Sequence, residues 1–253
     1  MISASDITVS ISCLYANYDP IWMMLVTCKR FGITPVPYGL GETYGGWVDI
    51  MLKRLMEAAR TCPTSHILYT DGRDAFFLAG LDEIAVKYNA MGCPALLIGA
   101  DCQGFSTYQK WYDKVPWDMT KAFPYFQVGG KLCDARALYE AIRWMFQRNE
   151  TGDWGEMPGD NPPWWCNFMA ERPGELVIDH DCQIFQNCTN CTQSLAIYNS
   201  SRGCRIYNML TNSEPCILHF QGGYTDQTQG KWKTMLPVWR ALWYTENPPW
   251  EGK

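Results

Sequence analysis

Short apolar runs alternate with longer amphipathic stretches over the first hundred residues. "DITVSISCL", residues 6–14, is dense in β-branched side chains and reads as a buried strand. Asp19 followed by Pro20 suits an N-cap and a first helical residue, and the helix it opens, "IWMMLVTCKRFG", is predicted to end near Gly32. "TPVPY" is extended, because each proline disfavours helix in the residue before it. After the glycine-rich loop "YGLGETYGG", the stretch "WVDIMLKRLMEAAR" carries Val48, Met51, Leu52, Leu55, Ala58 and Ala59 at helical spacing. "HILYTD" predicts a short strand, "LDEIAVKYNA" a helix and "PALLIGA" another strand. Strands alternating with helices in this way predict an α/β fold, with a mainly parallel central sheet flanked by helices.

Beyond residue 101 the pattern loosens. Residues 102–124 are aromatic and loop-like, and "YFQVGG" predicts a strand entering a glycine turn. "DARALYEAIRWMFQ" predicts a helix with Leu138, Ile142 and Met145 on one face. "TGDWGEMPGDNPPWW" reads as a loop, "ELVIDHDCQIFQN" as two short strands, and "PCILHFQGGY" as a strand ending in a histidine and a glycine turn. The tail "GKWKTMLPVWRALWYTE" predicts a helix interrupted at Pro237. With no internal repeat, low-complexity tract or clear linker, one domain over residues 1–253 is expected.

Composition narrows the class. At 47% hydrophobic residues the chain can bury a sizeable core, and no apolar run reaches the length of a membrane span. The first residues lack a basic segment followed by an apolar stretch, so a cytoplasmic protein without a signal peptide is expected. A net charge of −5 argues against a protein that coats nucleic acid, though not against a local basic groove. The 12 cysteines are scattered, which fits reduced thiols. "NCTNC" at Cys188 and Cys191 contains a C-x-x-C, but irregular spacing to Cys182 and Cys204 and the lack of a second close pair argue against zinc. Without a secretion signal, the N-x-S/T triplets at Asn149, Asn187, Asn190 and Asn199 read as chance.

The chemistry starts at "HILYTDGRDAFFLAG", residues 66–80, where Asp71 and Asp74 close an apolar run. Ligands of α/β sheets bind at the carboxyl ends of strands, and these acids lie at such an end. By itself the stretch admits two readings: a turn made by Asp71 and Gly72, or a divalent-cation site.

Five stretches together match one family in order: "GLGE" at 39–42, "YTDGRDAFF" at 69–77, "GG" at 129–130, "IDHDCQIFQN" at 178–187 and "LHFQGG" at 218–223. The chain resembles the glycosyltransferase domain of the procollagen lysyl hydroxylases and its free-standing viral and bacterial relatives, nucleotide-sugar transferases of the GT-A type. That resemblance implies a nucleotide-binding half, 1–101, and an acceptor and catalytic half, 102–253. It puts the family's D-x-x-D metal pair on Asp71 and Asp74 and its third ligand on His219. Two carboxylates and an imidazole suit Mn²⁺, or Mg²⁺, with room for a nucleoside diphosphate. The donor, a UDP-sugar, is expected near Ser12, Cys13 and Tyr15, the Arg73 position, Gly129 and Gly130, and Gly222 in the loop after the histidine. Asp101 matches an acidic position facing the donor sugar, and Asp160 with Asn161 matches the family's acidic run before a polar residue. Asp160 is thus the candidate catalytic or acceptor-orienting carboxylate, with a loop turn as the other reading. Arg73 stands where the family commonly has an aromatic ring, and Asp49 where it often has a basic residue. Trp164 and Trp165 offer either a platform for a sugar ring or core packing.

For the acceptor, the resemblance leads towards a 5-hydroxymethylpyrimidine in phage DNA, supported weakly by Lys110, Lys114, Lys121, Lys231 and Lys233. The alternatives are hydroxylysine or another protein or glycan hydroxyl. From other classes stand a non-catalytic sugar-nucleotide or glycan-binding module and a metal-dependent phosphohydrolase. No membrane partner is expected, and the sequence carries no signal for oligomeric state.

Overall fold

A computed structural model describes residues 1–13, 21–42, 47–188, 194–200, 203–220 and 240. The elements run β1 (Ile7–Ser12), α1 (Trp22–Arg30), β2 (Val36–Tyr38), α2 (Trp47–Arg60), β3 (His66–Asp71), β4 (Ala75–Phe77), α3 (Leu81–Ala90) and β5 (Leu96–Asp101). They continue with α4 (Gln109–Tyr112), β6 (Tyr125–Asp134), α5 (Ala135–Glu150), α6 (Asn161–Glu171), β7 (Val177–Asp179), β8 (Phe185–Asn187), β9 (Leu195–Ser200), β10 (Gly203–Asn208) and β11 (Ile217–His219).

The central sheet is ordered β2-β1-β3-β6-β5-β8-β11-β4, with β7 also paired to β5. β1 pairs in parallel with β2 and β3, β5 with β7 and β8, and β8 with β11. β6 runs antiparallel to both its neighbours, and β4 runs antiparallel to β11. Alternation along β3 divides the core. Ile67 and Tyr69 face α2, α5 and α6, where Leu52, Leu55, Leu138, Ile142, Met145 and Trp165 are buried. Leu68 faces the other layer with Met24 and Cys28 of α1 and Ile84 and Tyr88 of α3. Each such aliphatic side chain contributes roughly 1.5–3 kcal/mol on burial.

The predicted α1, α2, α3 and α5 are all present, and Gly32 takes φ 65° just past the end of α1, where only glycine sits without strain. Asp134 caps α5 by accepting the Ala137 N–H at 2.8 Å. Three expectations change. The "GG" at 129–130 is not a turn; β6 continues through it to Asp134, with a bulge where pairing jumps from Ile98–Lys131 to Gly99–Gln127. "NPPWW" is not loop but the start of α6, since proline at the first helical positions lacks only an N–H that would have no intrahelical partner. Strand β4 and the β9–β10 hairpin have no counterpart in the apolar pattern. The Asp19–Pro20 cap and the tail helix lie outside the described residues, apart from Arg240, which is helical.

The glycines of the bulge are packing requirements. A Cβ on Gly130 would lie 2.6 Å from Cδ1 of Phe185, a ring buried against the sheet. Gly130→Ala should therefore cost about 1–3 kcal/mol through overpacking, measured by urea unfolding. A change within experimental error would show that the ring gives way freely.

Candidate active site

The structure joins the two acids and the histidine. β3 delivers Asp71 at its carboxyl end, and a tight turn through Gly72 leads to Asp74. A side chain at Gly72 would collide with the Ser12 carbonyl and with Ile21, so the turn can close against β1 only with glycine there. β11 pairs antiparallel with β4, placing His219 opposite Ala75, and the Phe220 N–H donates to the Asp74 carbonyl at 2.7 Å. Backbone pairing thus fixes the span between Asp74 and His219.

His219 Nε2 lies 3.3 Å from Asp71 Oδ2 and 3.4 Å from Asp74 Oδ1. It is buried and makes no hydrogen bond of acceptable geometry to either oxygen. One ligand atom from each of the three side chains falls within 4.8 Å of the others. Two carboxylates and an imidazole nitrogen converging at one point are a donor set that fits a divalent metal in place of the imidazole proton. Gly129 keeps the position open: its Cβ would stand 2.7 Å from Asp71 Oδ2 and 2.8 Å from His219 Nε2.

A second layer orients the three side chains. His219 Nδ1 lies 2.8 Å from Asn187 Oδ1, which fixes the proton on Nδ1 and turns Nε2 towards the acids. Asn187 in turn donates to the Ala100 carbonyl. The Tyr69 hydroxyl donates to Asp71 Oδ1 at 2.7 Å and the Ser12 hydroxyl to the same oxygen at 3.3 Å, leaving Oδ2 towards His219. Burial would raise the Asp71 carboxyl, but His219, Tyr69 and Lys131 together hold it below its ordinary value. Burial would likewise lower the His219 imidazole; Asp74 and Asp71 outweigh it and raise it to about 10.

The motif "IDHDCQIFQN" acquires a physical meaning. Asp179 is fully buried and accepts the N–H groups of Gln183, Ile184 and Phe185 at 2.9, 2.8 and 2.9 Å. Burial raises its carboxyl to about 6 against those three donors. It ties the loop that feeds β8, and β8 ends at Asn187, the histidine's partner.

Other expected site residues fall as follows. Ser12 sits in register with Asp71, and its hydroxyl is engaged with Asp71 and with the Gly72 N–H. Cys13 is wholly buried, and its N–H donates to the Tyr38 carbonyl at 2.9 Å. Arg73 is half-buried in the turn between the acids. Gly129 faces the triad, whereas Gly130, one residue on, faces Phe185 and has a packing role. Asp101 is completely buried at the end of β5 and accepts the Gln103 N–H at 3.2 Å. Asp160 is the N-cap of α6; its oxygens accept the Asn161 N–H and the Tyr108 hydroxyl, each at 2.7 Å. Asn161 is buried, with its side-chain oxygen unbonded. Trp164 and Trp165 are both buried, so core packing is their role. Tyr15 and Gly222, and the side chain of Asp49, lie outside the described residues. The described cysteines are free thiols, Cys182 and Cys188 among them; Cys191 is outside the described residues.

Asn187, Tyr69, Asp179 and Lys131 were not anticipated. The one signal for Lys131 is a charged residue two positions after Gly129, on the same face of a strand whose neighbours are apolar. The lysine is buried, with 2% exposure.

A mixed sheet flanked by helices, with two acids and a histidine at its strand ends, is consistent with a glycosyltransferase fold of the GT-A type. The chain belongs to the family described as the PLOD GT domain, whose profile matches residues 38–229. Its fold is similar to the crystal structure of a glycosyltransferase involved in the glycosylation of the major capsid of PBCV-1, at 10% identity and a TM-score of 0.52, covering 91% of this chain and 98% of that one. A search of curated proteins gives no match. The protein is a glycosyltransferase, and no helix among the described residues is long and apolar enough to cross a membrane.

The raised imidazole gives metal binding a pH dependence. Because the folded-state value lies above the ordinary one, its attraction to the acids stabilises the metal-free fold fully below about pH 6.5. That contribution is lost as the pH rises through about 10. A metal at Nε2 must displace that proton. Mn²⁺ affinity should therefore rise with pH between about 6 and 8.5, by up to about tenfold per unit, in calorimetric titrations. A flat profile would mean that His219 gives up no proton to the ion.

Proposed function

We propose that the protein moves a hexose from a UDP-sugar to a hydroxyl acceptor, using a divalent cation, Mn²⁺ or Mg²⁺, held by Asp71, Asp74 and His219. The observation that carries this reading is the convergence of Asp71, Asp74 and the buried His219 Nε2 within 4.8 Å of one another. When bound, such a cation supplies Lewis-acid stabilisation of a leaving diphosphate. The chain's own contribution is positional: Asn187 sets the imidazole, Tyr69 and Ser12 hold one oxygen of Asp71, and Gly129 leaves the volume open. Asp160 is the proposed acceptor-side carboxylate. Burial, together with Asp160 itself, raises the Tyr108 phenol above its ordinary value, so the hydroxyl stays a neutral donor holding the carboxylate at the mouth of α6.

For the acceptor we favour a hydroxyl on a polypeptide or glycan over a hydroxymethylpyrimidine in DNA. The lysines that would supply phosphate contacts in the aromatic segment each have a partner within the chain. Lys110 lies over the Trp111 ring at 4.0 Å, Lys114 donates to Asn167 at 2.8 Å and Lys121 faces Asp181 at 3.6 Å. Lys231 and Lys233 lie outside the described residues. A net charge of −5 points the same way. The partly exposed rings of Tyr108, bonded to Asp160, and of Phe105 beside it offer a surface for an acceptor. A cytoplasmic setting and a single domain over 1–253 belong to this reading.

Asp71→Ala and Asp74→Ala should each abolish transfer and Mn²⁺-dependent binding of UDP by calorimetry; unchanged binding in both would remove the metal assignment. Asp160→Asn keeps an N-cap residue, so stability should hold while turnover falls by about 100-fold or more and donor affinity stays within about twofold. Full turnover in that variant would exclude Asp160 from the chemistry. A panel of nucleotide sugars with hydroxylysine peptides, glycans and hydroxymethylated DNA, read by mass spectrometry, decides donor and acceptor together. Modification of the DNA alone would reverse the acceptor reading.

A further inference from the structure

Lys131 is the only buried lysine among the described residues, and its ammonium has no carboxylate at ion-pair distance there. It donates to the Val128 carbonyl inside the β6 bulge and lies 4.8 Å from the Tyr69 ring centre and 5.3 Å from that of Trp165. Tyr69 is its cross-strand neighbour, and the Tyr69 hydroxyl is bonded to Asp71. Two residues earlier on the same strand face, Gly129 abuts Asp71 and His219. A buried charge without an ion-pair partner is costly: burial lowers the ammonium to about 8 against the attraction of Asp71, so it is charged below that pH, and an apolar side chain would fill this space more cheaply. The cation therefore calls for a role beyond packing.

We propose that Lys131 is a positioning residue that, acting through Tyr69, supplies positive charge behind Asp71 and biases the site towards a metal accompanied by a nucleoside diphosphate over the metal alone. The inference rests on the reading of the triad as a metal and nucleoside diphosphate site. The physical reason is one of sign. The protonated ammonium repels a divalent metal and attracts a diphosphate, and at the effective dielectric of a protein interior both effects act over several ångströms. The aromatic rings on either side accept the charge on their faces and keep water away from it. The Tyr69 hydroxyl, polarised by the ammonium over its ring, donates more strongly to Asp71 Oδ1 and holds that oxygen away from the metal position.

The test is calorimetry at about pH 6.5, where the wild-type ammonium is charged, on Lys131→Met and Lys131→Gln, which keep most of the stem and remove the charge. Mn²⁺ alone should bind about three- to tenfold tighter in both. UDP added to the Mn²⁺-saturated protein should bind about three- to tenfold more weakly, with the melting temperature of the Met variant unchanged or raised. Tyr69→Phe combined with Lys131→Met should change Mn²⁺ affinity by less than the sum of the single changes. Unchanged affinities, additive effects, a fall in both affinities with the melting temperature, or failure of both uncharged variants to fold would overturn the proposal. If the wild-type chain binds Mn²⁺ but not UDP, the donor reading fails, and the Mn²⁺ measurements alone decide the role of Lys131. If it binds no Mn²⁺, both readings fall.

Discussion

Two carboxylates converge on one buried imidazole nitrogen, and much of the local architecture follows from that electrostatic constraint. Asp71 and Asp74 repel one another, and neither is well placed unless a positive charge stands between them. Without a metal, the protonated His219 provides it, at 3.3 and 3.4 Å from the two oxygens. A divalent ion would take the same role with the proton released. Holding three such groups in register demands rigid supports, and the fold places each on the end of a strand or in a turn clamped by backbone bonds.

The irregular features of the sheet serve the same geometry. Gly72 lets the acidic turn fold against β1, Gly129 clears the space beside Asp71 and His219, and the β6 bulge carries Gly129 into position. Asp179 organises the loop before β8 with three backbone bonds, so that Asn187 arrives where the imidazole needs a partner. The β9–β10 hairpin is attached by an equally defined device: Arg205 is buried, pairs with Glu83 of α3 and donates to the Leu78 carbonyl. These polar groups are buried with their partners supplied, which gives one arrangement of the strand ends rather than several.

The acids are held in different ways. Asp71 and Asp74 meet across His219, whereas Asp160 belongs to the cap of α6 and the Tyr108 hydroxyl. Asp101 and Asp179 are acids of the interior, each bonded to backbone N–H groups of its own loop. These five carboxylates thus differ in environment rather than in residue type.

Most of the helices and the first strands were legible from apolar periodicity alone, because a single buried face imposes a period of 3.6 or 2 on a contiguous stretch. The acidic pair was legible as a pattern, and the histidine as the end of an apolar run followed by glycine. What periodicity could not reveal depended on partners distant in sequence. Gly129 and Gly130 look like turn residues, yet they are strand residues because His219, Asp71 and Phe185 crowd the two faces of β6. Tryptophans that suggested a sugar platform became core once Asp160 started a helix beneath them. Lys131 gave almost no signal, since burial of a lysine is set by the strands and helix packed over it. Local sequence determined the elements and the kinds of ligand; only the register of β3, β4, β6, β8 and β11 decided which atoms meet, because hydrogen-bonded pairing between distant strands is a property of the assembled sheet.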